Sequence, residues 1–154
     1  MINLKEGQKA PDFELENTNG ENVNLSDFKG KRVVLYFYPK DDTPGCTKQA
    51  CDFRDNVKKL KSMNVEVIGI SNDDMESHKR FAEKYHLPFA LLCDTQKAVS
   101  KEYGVYEEKE KFGKKYWGIT RSTFVIDGKS IIKKIFYKVK VEGHAREVVG
   151  ALNI

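Results

Sequence analysis

Three side chains in this sequence combine nucleophilicity with redox chemistry: Cys46, Cys51 and Cys93. An odd number of cysteines, in a chain whose opening Met1 to Glu6 reads as no secretory segment, points away from structural disulfides. Catalytic, metal-bound or buried thiols and a cytoplasmic address are expected instead. Cys46 has the surroundings of a reactive thiol. The run Tyr38-Pro39-Lys40-Asp41-Asp42-Thr43-Pro44-Gly45-Cys46 joins an apolar strand to the start of a helix, and in open α/β sheets that carboxyl edge is where sites form. A helix N-terminus offers unpaired N–H groups and partial positive charge, both of which favour thiolate over thiol. Pro39 and Pro44 stiffen the approach, Gly45 admits close access to the backbone, and Thr43 brings a hydroxyl that donates and accepts. On position alone, an inert cysteine filling the helix face is an equal alternative.

The elements that must position this loop follow from apolar spacing. Val33 to Tyr38 is β-branched and aromatic without alternation, the pattern of a central strand covered on both faces. Cys46, Ala50, Phe53, Val57 and Leu60 recur at steps of three and four, which predicts one helix of about four turns. Val65 to Ile70 is a second strand, and the order strand, helix, strand makes a right-handed parallel unit. Ser71, Asn72 and Asp73 are candidate caps for a helix that buries Met75, His78, Phe81, Ala82 and Tyr85. Phe89 to Cys93 reads as a short strand and Ala98 to Tyr103 as a short helix. Two hairpins are expected. One turns at Asn19-Gly20 between Phe13–Glu16 and Val23–Leu25; the other turns at Asp127-Gly128 between Ser122–Ile126 and Ile131–Phe136 and makes the sheet mixed. His144 to Leu152 closes the chain as a helix, and the polar stretch Glu107 to Lys115 reads as a surface loop. With 154 residues, no repeat and no break in composition, a single α/β domain over 1–154 is expected.

Several function classes recede. Twenty-seven Lys and Arg against 23 Asp and Glu give +4 in mixed patches, which does not imply nucleic acid. The longest apolar run, Val33 to Tyr38, falls far short of a membrane span. Gly128-Lys129-Ser130 lacks the glycine a phosphate-binding loop needs five positions earlier, where Thr123 stands. Glu83-x-x-His86 has no second copy to complete a di-iron site, and no four-ligand zinc spacing exists. Phe112, Tyr116 and Trp117 among lysines are read as a loop packed beside the active site rather than a nucleic-acid platform.

Pro39-x-x-x-Thr43-x-x-Cys46 resembles the active-site signature of the peroxiredoxins. The wider run Tyr38 to Arg54 resembles the peroxiredoxin Q branch, also called bacterioferritin comigratory protein. The similarity extends to Ala10-Pro11-Asp12-Phe13, to Arg121 through Asp127 and to Gly143-His144. This resemblance implies a thioredoxin-like fold and a thiol peroxidase acting on hydrogen peroxide and small alkyl hydroperoxides. Cys46 would be the peroxidatic residue and pass through a sulfenic acid. Thr43 and Arg121 would hydrogen-bond the peroxide, with the N–H groups of Gly45 and Cys46 beside the leaving oxygen, while Pro39 shields the site. Cys51 would be the resolving cysteine, and burial is the expected role of Cys93. No metal or organic cofactor is implied. The electron donor would be thioredoxin or a similar dithiol, and the chain would act as a monomer, with a dimer as the alternative.

Helix geometry adds a demand of its own. Five residues of regular helix place two Cα atoms ~8.7 Å apart on different faces, beyond the ~7 Å limit of a disulfide. A bond between Cys46 and Cys51 therefore requires the first turns of their helix to unwind. Two other readings compete. A thioredoxin-like disulfide reductase is disfavoured because four residues, not two, separate Cys46 from Cys51. A non-catalytic redox sensor would differ by stopping after one equivalent of peroxide.

Overall fold

A computed structural model describes residues 2–152. In chain order its elements are β1 (Glu14–Glu16), β2 (Asn22–Asn24), a 3-10 turn at Leu25–Phe28, β3 (Arg32–Phe37), α1 (Pro44–Asp55), α2 (Val57–Ser62), β4 (Val65–Ser71) and α3 (Met75–Tyr85). They continue with β5 (Ala90–Cys93), α4 (Ala98–Glu102), β6 (Tyr106–Lys111), β7 (Lys114–Ile119), β8 (Ser122–Ile126), β9 (Ile132–Tyr137) and α5 (His144–Leu152).

The absence of alternation in β3 has its reason in the packing. β3 lies inside a seven-stranded mixed sheet of order β2-β1-β5-β4-β3-β8-β9, parallel to β4 and antiparallel to β8. Successive side chains point to opposite faces, and both faces are covered. Val34 and Tyr36 join Phe53, Leu60, Phe81 and Val148 in a core under α1, α2, α3 and α5. Val33, Leu35 and Phe37 join Ile68, Leu92, Tyr103 and Phe124 in a second core on the other face. Each fully buried side chain of this size is worth about 1.5–3 kcal/mol of transfer free energy, so a polar substitution at any position from Val33 to Phe37 strikes one core or the other. Both hairpins form where expected, β1 with β2 and β8 with β9.

Four expectations change. The four-turn helix is two helices, because Asn56 leaves helical geometry at φ −105° and ψ 2° and turns its side-chain amide onto the carbonyl of Asp52 at 2.8 Å. Asparagine competes with the backbone in this way in helix interiors, and Val57 is only half-buried after the break. The cap of α3 is Asp74, which accepts the N–H of Ser77 at 2.9 Å; Ser71 instead ends β4. The polar stretch from Glu107 is no loop, since β6 and β7 form an antiparallel ribbon from Tyr106↔Ile119 to Lys111↔Lys114. Its two-residue turn has positive φ at both Phe112 and Gly113, 53° and 76°, a geometry that asparagine commonly supplies and phenylalanine rarely does. Nor do the ribbon's aromatic residues pack as expected. Phe112 is 94% exposed, Tyr116 and Trp117 are exposed, and Trp117 stacks on Tyr106 with ring centroids 5.8 Å apart.

Candidate active site

The parallel strands β3, β4 and β5 point the same way, so the Pro39–Thr43 loop, the turn after β4 and Cys93 share one edge of the sheet. Thr43 stands at the N-cap of α1 in extended conformation, with Pro44 at the first helical position, where a missing N–H costs nothing. The Thr43 hydroxyl does not cap the helix; it donates to the carbonyl of Lys40 at 2.8 Å and tightens the loop. Pro39 and Pro44 are exposed, and Cys46, in the first turn of the helix, is 2% exposed. Its neighbours Gly45 and Thr43 are half-buried, so the sulfur lies beneath the loop rather than on it.

Arg121 comes from the opposite side of the site, from the two residues that join β7 to β8. Its guanidinium lies across the first turn of α1. A Cβ added to Gly45 would stand 3.1 Å from Nη2 of Arg121, so a side chain there would press the cation back by a few tenths of an ångström. Nη1 donates to Oε1 of Gln49 at 2.6 Å, and Gln49 is buried one turn after Cys46. Among the described residues, the buried Nε2 of Gln49 and the phenol oxygen of Tyr36 find no hydrogen-bond partner. Tyr36 registers the charges of the site from below: burial, then the charges of Cys46 and Asp41, hold its phenol well above the usual range, while Arg121 opposes.

Lys109, on β6, is a second cation close to this centre, and its ammonium donates to the carbonyl of Ile119. Burial lowers its pKa and the charge of Arg121 lowers it further, against Cys46 and Glu107. Sequence reading passed over both Lys109 and Gln49. The i, i+3 step from Cys46 to Gln49 was available as a signal for the latter; the ribbon that carries Lys109 had been read as a loop.

Cys51 lies in α1 with Cys46, half-buried, and both thiols are free. Cys93 departs from the expected burial. It ends β5 half-exposed, at the rim of a surface cleft shared with Glu14, Glu16, Met75 and Thr95. Its thiol is pushed up to about 11 by partial burial and then by the carboxylates of Asp41, Glu16, Asp74 and Asp73. As for metals, Asp41, Asp73 and His78 bring three ligand-type atoms within 4.8 Å of one another. The same atoms are already engaged with Tyr38, Ser77, Ser71 and the Asp41 amide.

A buried cysteine in the first turn of a helix thus lies beside an arginine from the β7–β8 connection, on a mixed α/β sheet of this order. The AhpC/TSA family model matches residues 6–135, and the chain belongs to that family. Peroxiredoxin Bcp of Bacillus subtilis strain 168 is 48% identical over 98% of this chain and 96% of its own length. Peroxiredoxin Bcp of Escherichia coli K12 is 50% identical over 94% of this chain and 92% of its own. Among solved structures, the bacterioferritin comigratory protein of Xanthomonas campestris, described for its alkyl peroxide reduction activity, superposes with a TM-score of 0.92. It is 33% identical and the match covers 99% of this chain and 98% of that one. The fold is the thioredoxin-like fold of these peroxiredoxins, and the resemblance read from Tyr38 to Arg54 holds along the chain. Among the described residues no helix is long and apolar enough to cross a membrane.

Proposed function

We propose that this single-domain chain reduces hydrogen peroxide and small alkyl hydroperoxides through Cys46, with Cys51 as the resolving thiol. The observation that carries the reading is the placement of buried Cys46 in the first turn of α1, with Arg121 seated on Gly45 and bonded to Gln49. The Cys46 thiolate attacks the terminal peroxide oxygen; the S–O bond forms as the O–O bond breaks, and the alkoxide or hydroxide takes a proton and leaves. Charge develops on that leaving oxygen. Arg121 and the first-turn N–H groups of Gly45 and Cys46 are the donors available to it, the Thr43 hydroxyl, whose proton goes to the Lys40 carbonyl, offers its oxygen to accept the peroxide O–H, and Pro39 shields the approach. Cys51 then displaces water from the sulfenic acid to give a disulfide, and a thioredoxin-type dithiol reduces that disulfide in two exchange steps.

Cytoplasmic reducing poise suits such a cycle, and the chain is proposed to act as a monomer. The test is intact mass after one equivalent of peroxide, with and without Cys51, followed by a thioredoxin-coupled assay. Loss of two hydrogen atoms in the wild type, gain of one oxygen in Cys51→Ser and many turnovers per chain are expected. One turnover only would favour a redox sensor.

A further inference from the structure

Between the Pro39–Thr43 loop and α3 lies a buried network for which the chemistry above has no use. Asp41 is 7% exposed and His78 is fully buried. Nδ1 of His78 is 2.6 Å from Oδ2 of Asp41, and Nε2 is 2.9 Å from the main-chain carbonyl of Leu92 in β5. A carbonyl only accepts, so Nε2 carries a proton. The Asp41 carboxyl already accepts from the Tyr38 hydroxyl at 2.5 Å and the Ser77 hydroxyl at 2.8 Å. The His78–Asp41 contact thus needs one more proton than a neutral ring beside a carboxylate would hold.

The main chain is tied as firmly as the side chain. The N–H of Asp41 donates to Asp73 at 2.8 Å, and Asp73 also accepts from Ser71 at 2.7 Å. Next along, Asp42 has φ 57° and is held by Lys84 and Tyr85, both at 2.9 Å. Thr43 and the first turn of α1 follow directly.

We propose that His78 is a positioning residue for the peroxide step: as an imidazolium gripping Asp41, it fixes Asp41 to Thr43 and through them the first turn of α1 that presents Cys46. This rests on Cys46 being the reacting cysteine. It also sets an upstream limit to unwinding, because α1 can melt toward Cys51 while the loop stays moored at Asp41 and Asp42.

The groups that face the ring are Asp41 and Tyr38 from the loop side, Asp73 from the β4–α3 connection, the Leu92 carbonyl from β5 and Ser77 from its own helix. Burial works against the proton, and Asp41, then the Leu92 carbonyl and Asp73, outweigh it, so the net direction is upward. A group raised above its unfolded value contributes fully below that value, about 6.5, and the contribution is lost as pH rises through the folded value. The loop should loosen on the alkaline side.

Two isosteric variants separate the contacts. His78→Asn keeps an N–H donor where Nδ1 stands, toward Asp41; His78→Gln keeps one where Nε2 stands, toward Leu92. Amide hydrogen exchange over residues 40–46 of the reduced protein, and single-turnover oxidation of Cys46 against pH, are the readouts. In His78→Gln we expect exchange in this segment to rise about tenfold and oxidation at pH 6.5 to slow about fivefold, with the alkaline decline of the wild type flattened. His78→Asn should recover most of the rate with an equally flat profile. Should either variant fail to fold, Asp41→Asn, which removes the charge and keeps the size, should match His78→Gln. Variants indistinguishable from the wild type, or equally impaired with exchange raised throughout the sheet, would overturn the positioning role. A Cys46 that neither gains an oxygen in Cys51→Ser nor forms the disulfide in the wild type would overturn the peroxidase reading itself, and mass distinguishes the two results.

Discussion

Cys46 and Cys93 stand at the same edge of the sheet, one just after β3 and the other closing β5, and they differ in nearly everything else. Cys46 is almost fully buried, at the start of a twelve-residue helix, with Arg121 and Lys109 as neighbouring cations. Cys93 is half-exposed, at the end of a strand, among Glu16, Asp41, Asp73 and Asp74. Exposure alone would nominate Cys93 as the reactive thiol. Burial and then charge argue against that choice: a thiol held near 11 by partial burial and the surrounding carboxylates presents roughly one thiolate in ten thousand at neutral pH. The fold supplies two cysteines to one edge, and the charges around them differ in sign.

The largest effect that tests this contrast is Cys46→Ser, which should reduce thioredoxin-coupled turnover below a few per cent while circular dichroism and melting stay near those of the wild type. Persistent turnover would transfer the chemistry to Cys93 or Cys51. Arg121→Gln comes next. It removes the cation that lies on Gly45 and leaves Gln49 without its partner, so stopped-flow oxidation of Cys46 should slow about 10²-fold.

Cys51→Ser should leave the first oxidation rate within about twofold and abolish the intramolecular disulfide, so that Cys46 accumulates as sulfenic and then sulfinic acid. In the wild type the disulfide form should lose amide protection over residues 45–51, since an intact α1 keeps the two Cα atoms ~8.7 Å apart. Equal protection in both forms would mean that the bond needs no melting. The smallest effect is at the other cysteine: Cys93→Ser should change turnover less than about twofold. Alkylation of Cys93 in the native protein should climb about tenfold per pH unit up to about 11, because only the thiolate reacts. A plateau near pH 8 would remove the charge difference from which this contrast is drawn.

Much of this was legible along the chain because it rests on local chemistry. Val33 to Tyr38 announces a strand buried on both faces, Asp127-Gly128 a hairpin, and the Pro39 to Cys46 spacing a site. Asn56 was less legible, since a side chain that bonds to the backbone four residues earlier looks, in sequence, like any polar position on a helix. The ribbon was hidden by Phe112, a residue that sequence rules do not place at positive φ. Gln49 and Lys109 owe their significance to partners 72 and 10 residues away, the Arg121 guanidinium and the Ile119 carbonyl. Asp74 displaced Ser71, Asn72 and Asp73 as the cap because Asp73 is occupied with the Asp41 amide and Ser71. These are tertiary facts, and spacing does not carry them.

The pairing of β3 with β8 joins residues about 90 positions apart, Val33 with Ile126 and Phe37 with Ser122. During synthesis the β3–α1–β4 unit emerges first, complete with Cys46, while Arg121 has yet to be made. Contacts across so long an interval form late. On the proposed roles, the nascent chain therefore exposes its nucleophile before the cation that serves it exists, and the enzyme is born inactive. Its competence arrives in one event, when the last third of the chain leaves the ribosome and β8 docks along β3.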